Sequence, residues 1–233
     1  MLTDSWGTEF RQLRAISDEG HAMTEIAGVE IPDTPLVREI TEYIHDTEDD
    51  LLFHHSRRVY LFGVLQGQRR GVKADLELLY AGAMFHDIGL TDGYRGSQLR
   101  FEVDGANAAR DFLIERGVGA EDAQNVWLAI ALHTTPGITE FLSPEVALVT
   151  AGVETDVVGI DRDALSGKDL DEVVAAHPRP DFKNRMLRAF FEGNRHRPRS
   201  TFGNMNADVL AHFDPSFVRD DLVDLIHANS WPE

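Results

Sequence analysis

The 233-residue sequence predicts an all-α fold, and three observations carry that reading. Apolar residues recur at three- and four-residue spacing along most of the chain, whereas strand-like alternation is confined to Glu25–Ile31. Helix starts are marked where a capping side chain precedes proline, at Thr34-Pro35, Ser143-Pro144 and Asp214-Pro215. Polar, Gly-bearing connections such as Gln66–Val72 and Thr91–Gln98 separate the helical patterns.

Taken in order, residues 1–32 are weakly patterned, with Glu25–Ile31 reading as a short strand or an extended arm. The first helix opens at Thr34-Pro35 and buries Leu36, Ile40 and Ile44. The second runs from about Asp49 to Gly67 and places Leu51, His55, Val59 and Phe62 on one face, so His55 lies on a stripe that should be buried and His54 at its rim. The third spans Asp75 to Ile88, carries Leu76, Leu79 and Ala83, and ends in His86-Asp87, with Gly89 as its stop. Beyond a polar loop, Thr91–Gln98, a helix from Phe101 to near Gly117 turns Ala108, Phe112 and Leu113 inward. Glu121–His133 sets Val126, Ile130 and His133 on one side, and the helix opened by Ser143-Pro144 continues to Asp156. Helices near Lys168–His177, Phe182–Gly193, Ser200–His212 and Pro215–Ala228 complete the chain. Without a repeat or linker, the expectation is one domain over 1–233, with its core in 35–165 and the helices of 166–233 packed on it. The softest junction is the basic turn Gly193–Ser200.

Composition narrows the function. Forty acidic against 22 basic residues leave a net charge of −18, which repels nucleic acid and anionic membrane alike. There is no cysteine, which excludes disulfides, thiolate zinc sites and cysteine catalysis. No stretch reaches membrane-span length and the first residues lack a signal pattern, so a cytoplasmic protein with a small-molecule substrate is expected, homo-oligomer formation being left open. Ten histidines are the usable chemical surplus.

His55, His86, Asp87, His133 and Asp156 fall at helix ends or on buried faces of four helices. Each alone reads as a hydrogen-bonded core residue; burying all of them separately would require a partner for each. Converged in a bundle core, imidazole and carboxylate suit a divalent metal of borderline hardness. Glu102 and Asp104 are candidate pocket carboxylates, Asp104 equally a helix cap, and Thr134 either lines the pocket or ends its helix. Arg57 and Arg58 bind an anion or merely face solvent, and the acidic run Asp46–Asp50 reads as solvated surface.

The order His … His-Asp … Asp resembles the HD-domain superfamily. His55-Ser56-Arg57-Arg58-Val59-Tyr60 is similar to its first-ligand helix, Met84-Phe85-His86-Asp87-Ile88-Gly89 to its defining motif, and Glu154-Thr155-Asp156-Val157 to its last-ligand segment. Phe101-Glu102-Val103-Asp104-Gly105-Ala106 and Ala129-Ile130-Ala131-Leu132-His133-Thr134-Thr135 resemble the branch that contains cyanamide hydratases. The resemblance implies a metal held by His55, His86, Asp87 and Asp156: a divalent transition metal, zinc first, with iron, manganese or nickel as alternatives. Only His133 lies between the pair and the last ligand as an extra histidine, which favours one metal over two. The implied activity is that of a hydrolase or hydratase in which metal-bound water or hydroxide attacks a small molecule, such as the nitrile of cyanamide. Asp87 and His133 are its expected catalytic residues, and Glu102, Asp104 and Thr134 its expected substrate contacts. A phosphohydrolase acting on nucleotides or other phosphate esters is the alternative, and a non-catalytic ligand sensor the third reading.

Overall fold

Ten α-helices and one short hairpin make up the α and β structure among residues 24–231, the part of the chain that the computed structural model describes. Most of the weakly patterned N-terminal stretch, residues 1–23, lies outside it. Strands β1 (Thr24–Ile26) and β2 (Val29–Ile31) pair antiparallel, Ile26 opposite Val29. The turn between them places Ala27 and Gly28 at φ 54° and 71°, the left-handed pair whose twist matches the strands.

Helix α1 (Pro35–Thr47) begins where expected, Thr34 Oγ1 accepting from the Val37 amide at 3.2 Å. Its buried stripe is Val37, Ile40 and Ile44; Leu36 is only half-buried. Helix α2 (Asp50–Arg70) is capped by Asp49 and closed by Gly71 at φ 68°. Helix α3 (Leu76–Phe85), capped by Asp75, is buried throughout from Leu79 onward. Helices α4 (Phe101–Glu115), α5 (Ala120–Leu132) and α6 (Pro144–Val157) complete the bundle, with α2 packed on α6, α4 on α5, and α3 among α1, α2, α5 and α6.

The α2–α6 crossing positions the site. A Cβ at Gly63 would lie 2.7 Å from the Leu148 carbonyl oxygen, and one at Gly152 would collide with that of Val59. Backbones this close bring the turn before Val59, which carries His55, beside the turn after Gly152, which carries Asp156.

Helices α7 (Gly167–Ala176), α8 (Phe182–Asn194), α9 (Asn206–Phe213) and α10 (Leu222–Ala228) follow. Two expectations fail here. Ser200–His212 is not one helix: a 3-10 turn, Pro198–Thr201, and Gly203 at φ 72° precede α9. Asp214-Pro215 starts no helix either, because Asp214 Oδ1 accepts from the amide of Ser216 at 2.8 Å and its hydroxyl at 2.6 Å, a local turn that competes with helix formation. Asp221 caps α10 instead. A second apolar cluster, Leu51, Leu52, Leu90, Phe101, Phe182 and Met186, lies where α8 meets the start of α2. No helix among the described residues is long and apolar enough to cross a membrane.

Candidate metal centre

The His-Asp pair does not sit in a regular helical turn. Helix α3 stops at Phe85; His86 caps it, and Asp87, at φ −106° and ψ 0°, starts a 3-10 turn over Ile88–Leu90. The break lets two adjacent side chains face one point, which a continuous helix would set about 100° apart. Gly89 therefore does not act as a left-handed stop. It is buried, and a side chain there would strike the carbonyl of Phe101.

Three imidazoles converge on Asp87, each holding its Nδ1 proton elsewhere. His55 Nδ1 donates to Asp156 Oδ2, His86 Nδ1 to Ala83 O and His133 Nδ1 to Ile130 O, each at 2.7 Å. That fixes the tautomers and leaves three Nε2 lone pairs pointing inward. His55 Nε2 lies 3.1 Å from His86 Nε2 and 3.6 Å from Asp87 Oδ2; His86 Nε2 is 3.3 Å from the same oxygen. His133 Nε2 faces the other oxygen, Oδ1, at 3.7 Å. Both Asp87 oxygens lack a hydrogen-bond partner, although His55, His86 and Asp87 are fully buried and His133 nearly so. Acceptors packed against acceptors without an intervening proton are costly. A cation held by His55, His86 and Asp87 would satisfy their facing acceptors, and these three form a group close enough to hold one.

The electrostatics agree. Burial disfavours charge on Asp87, but His86, His55 and His133 outweigh it and keep the carboxylate ionised well below the usual range. Burial also opposes charge on His86, yet Asp87 overcomes it and raises that ring's pKa. Without a cation, a proton on His86 is what answers the carboxylate, and a bound cation would take that proton's place. His55 is lowered, burial outweighing Asp156. His133 is pushed down to about 4, by burial first and then by His86, so it is neutral near pH 7.

The other expected residues stand one step back. Asp156 is not among the converging atoms: it holds His55 from behind and is bracketed by Arg58 (Nε to Oδ1 and Nη2 to Oδ2, both 2.9 Å) and by Arg179 Nε at 3.1 Å. Against the opposing effect of burial, His55 and then Arg58 bring its pKa to about 2. Arg58 faces neither solvent nor a free anion; it is fully buried and also donates to the carbonyls of His177 and Pro178. Arg57 donates to the Tyr80 hydroxyl. Glu102 is buried and accepts from Thr134 Oγ1, from Arg100 at 3.0 Å and from Asn206 at 3.4 Å. Its charge acts on His133. Asp104 neither caps its helix nor has a free oxygen for substrate. Its carboxylate is taken by Arg197 and by Ser97 Oγ at 2.8 Å.

Three residues escaped the sequence reading. Arg197, in the basic turn taken as a soft junction, is buried and also donates to the carbonyls of Leu99, Gly89 and Gly193, tying the C-terminal helices to the loop behind the His-Asp pair. Phe182 packs its ring 5.4 Å from that of His55. Glu48, in the acidic run read as solvated, is the buried member of that run. None of the three left a signal that the sequence resolves: Arg197 is one of three arginines in the basic turn, with Arg195 and Arg199, and only the fold singles it out.

Comparison with known proteins bears on this geometry. The sequence model of the HD domain matches residues 52–177, more than half of the chain. Cyanamide hydratase DDI2 and cyanamide hydratase DDI3, both from Saccharomyces cerevisiae, are each 29% identical over 143 residues. The match takes in 56% of this chain and 63% of each of those proteins, a little under two-thirds of their length.

Proposed function

The chain belongs to the HD-domain family, and from that membership we propose that it is a metal-dependent hydratase acting on a small uncharged nitrile. The observation that carries the proposal is the buried convergence of His55, His86 and an Asp87 carboxylate without a hydrogen-bond partner. In this reading His55 Nε2, His86 Nε2 and Asp87 hold the cation. The family resemblance puts Asp156 beside them, and its hydrogen bond to Nδ1 orients the His55 ring. Bound there, a divalent cation supplies a Lewis acid and acidifies water toward neutrality.

The remaining work belongs to the chain. Hydration forms a bond from water oxygen to the nitrile carbon, removes a proton from that water and delivers one to the nitrile nitrogen. In this reading His133 makes both transfers, which is supported by an Nε2 left without a hydrogen-bond partner, a ring neutral at pH 7 and a tautomer fixed by Ile130. Glu102 stabilises the imidazolium that follows, because its charge acts on His133. Phe101 and Phe182, against His133 and His55, keep bulk water away. The net charge of −18 further favours an uncharged substrate over a polyanion.

The test is a substrate panel on metal-replete protein. Cyanamide should yield urea, with chelator-sensitive turnover, and nucleoside phosphates should stay intact. Turnover of nucleotides with none of nitriles would reverse the assignment in favour of a phosphohydrolase.

A further inference from the structure

Glu48 is a buried carboxyl group that the fold does not need. It ends α1 with 8% exposure; Oε2 accepts from Ser56 Oγ at 3.4 Å, a long bond, and Oε1 has no partner. A carboxyl kept for stability is surrounded by donors, as Asp104 and Asp156 are. A half-partnered one is costly, and an apolar side chain of similar volume would be at least as stable.

Its place says what it faces. Ser56, its one partner, follows His55 in α2, and the charge of Asp87 reaches it. On the other side, its neighbours Thr47 and Asp49 line a surface cleft of about 890 Å³. Leu51, Leu52 and Leu90 also line that cleft and belong to the apolar cluster whose Phe182 packs on His55. Glu48 does not itself line the cleft: it is turned inward between Thr47 and Asp49, toward Ser56 and the helix that carries His55. Four carboxylates of the cleft, Asp49, Asp92, Asp181 and Glu192, outnumber Arg185 and Arg188, so this mouth does not collect anions.

We infer that Glu48 is a substrate-contacting residue whose free carboxyl oxygen hydrogen-bonds a small uncharged molecule bearing N–H groups as it passes from the cleft to the centre. This rests on the reading of the centre as one for an uncharged nitrogen-bearing substrate. Burial and then Asp87 push the Glu48 carboxyl well above the usual range, so its neutral form is within reach and glutamine is its nearest mimic.

The experiment is calorimetric titration of the full, metal-replete chain with urea, the unreactive hydration product of cyanamide. Wild type, Glu48→Met and Glu48→Gln are compared, with metal content and melting temperature recorded for each. Glu48→Met should weaken urea binding by about tenfold or more, the effect of one buried hydrogen bond, and Glu48→Gln should restore it to within about threefold. Metal content and melting temperature should not fall in either variant. Wild-type affinity in Glu48→Met, or no urea binding by wild type, would overturn the inference. Release of urea from cyanamide is assayed separately. Absent turnover with Glu48-dependent binding sinks the hydratase reading alone, and turnover with Glu48-independent binding sinks the role of Glu48 alone.

Discussion

Asp87 and Asp104 are both buried carboxylates, held on neighbouring elements, and they are opposites. Asp104 has Arg197 and Ser97 as partners, and Arg197 spends its remaining donors on three carbonyls. Asp87 has no hydrogen-bond partner on either oxygen and instead faces three imidazole Nε2 atoms. The first is a closed structural joint, the second an open site. Burial alone does not separate structure from function in this fold; the count of satisfied lone pairs does.

The sharpest way to break that contrast is to make both carboxylates leucine. Asp87→Leu should abolish activity and metal binding, while the metal-free chain loses less stability than with Asp104→Leu, because Asp87 has only imidazoles, which can stay neutral, and no arginine as partner. Asp104→Leu should cost about 3–5 kcal/mol by leaving Arg197 buried and alone. Equal destabilisation in both would erase the distinction. Next in size is His133→Gln, for which kcat should fall by a factor of about 10² to 10⁴ with metal still bound; loss of the metal would instead make His133 part of the cation's shell. A smaller effect sharpens the closed joint. Arg197→Met combined with Asp104→Leu should recover much of the single-variant loss, whereas additive losses would mean that the pair does not act as a unit.

The smallest effect is in pH. Asp156 is depressed to about 2 in the folded chain, so its contribution is complete above its unfolded value near 4 and is lost as pH falls toward 2. The shift corresponds to about 2 kcal/mol. Acid unfolding of Asp156→Asn should be flatter over that window, and an unchanged slope would remove Asp156 from the account of acid stability.

Helices with a clear cap and stripe were legible in the sequence: Thr34 and Asp75 begin their helices as read, and His55 lies on the buried face of α2. The sequence also placed His86, Asp87 and His133 at helix ends. It misread Asp214-Pro215, because Asp before Pro serves a turn as readily as a helix. It could not tell Asp104 from Asp87, since what separates them is Arg197, 93 residues away in the chain. It missed Glu48 for the same reason in reverse. A carboxylate among Asp46, Asp49 and Asp50 reads as surface until the packing of α1 on α2 turns one of the run inward.

The most direct test of the central claim is metal analysis of the chain purified without chelator, wild type beside His86→Ala. The wild-type chain should carry about one divalent transition metal and the variant a nearly empty site, and wild type should melt lower once the metal is removed. A wild-type chain that is fully active without metal, or a His86→Ala chain that keeps full occupancy, would contradict it.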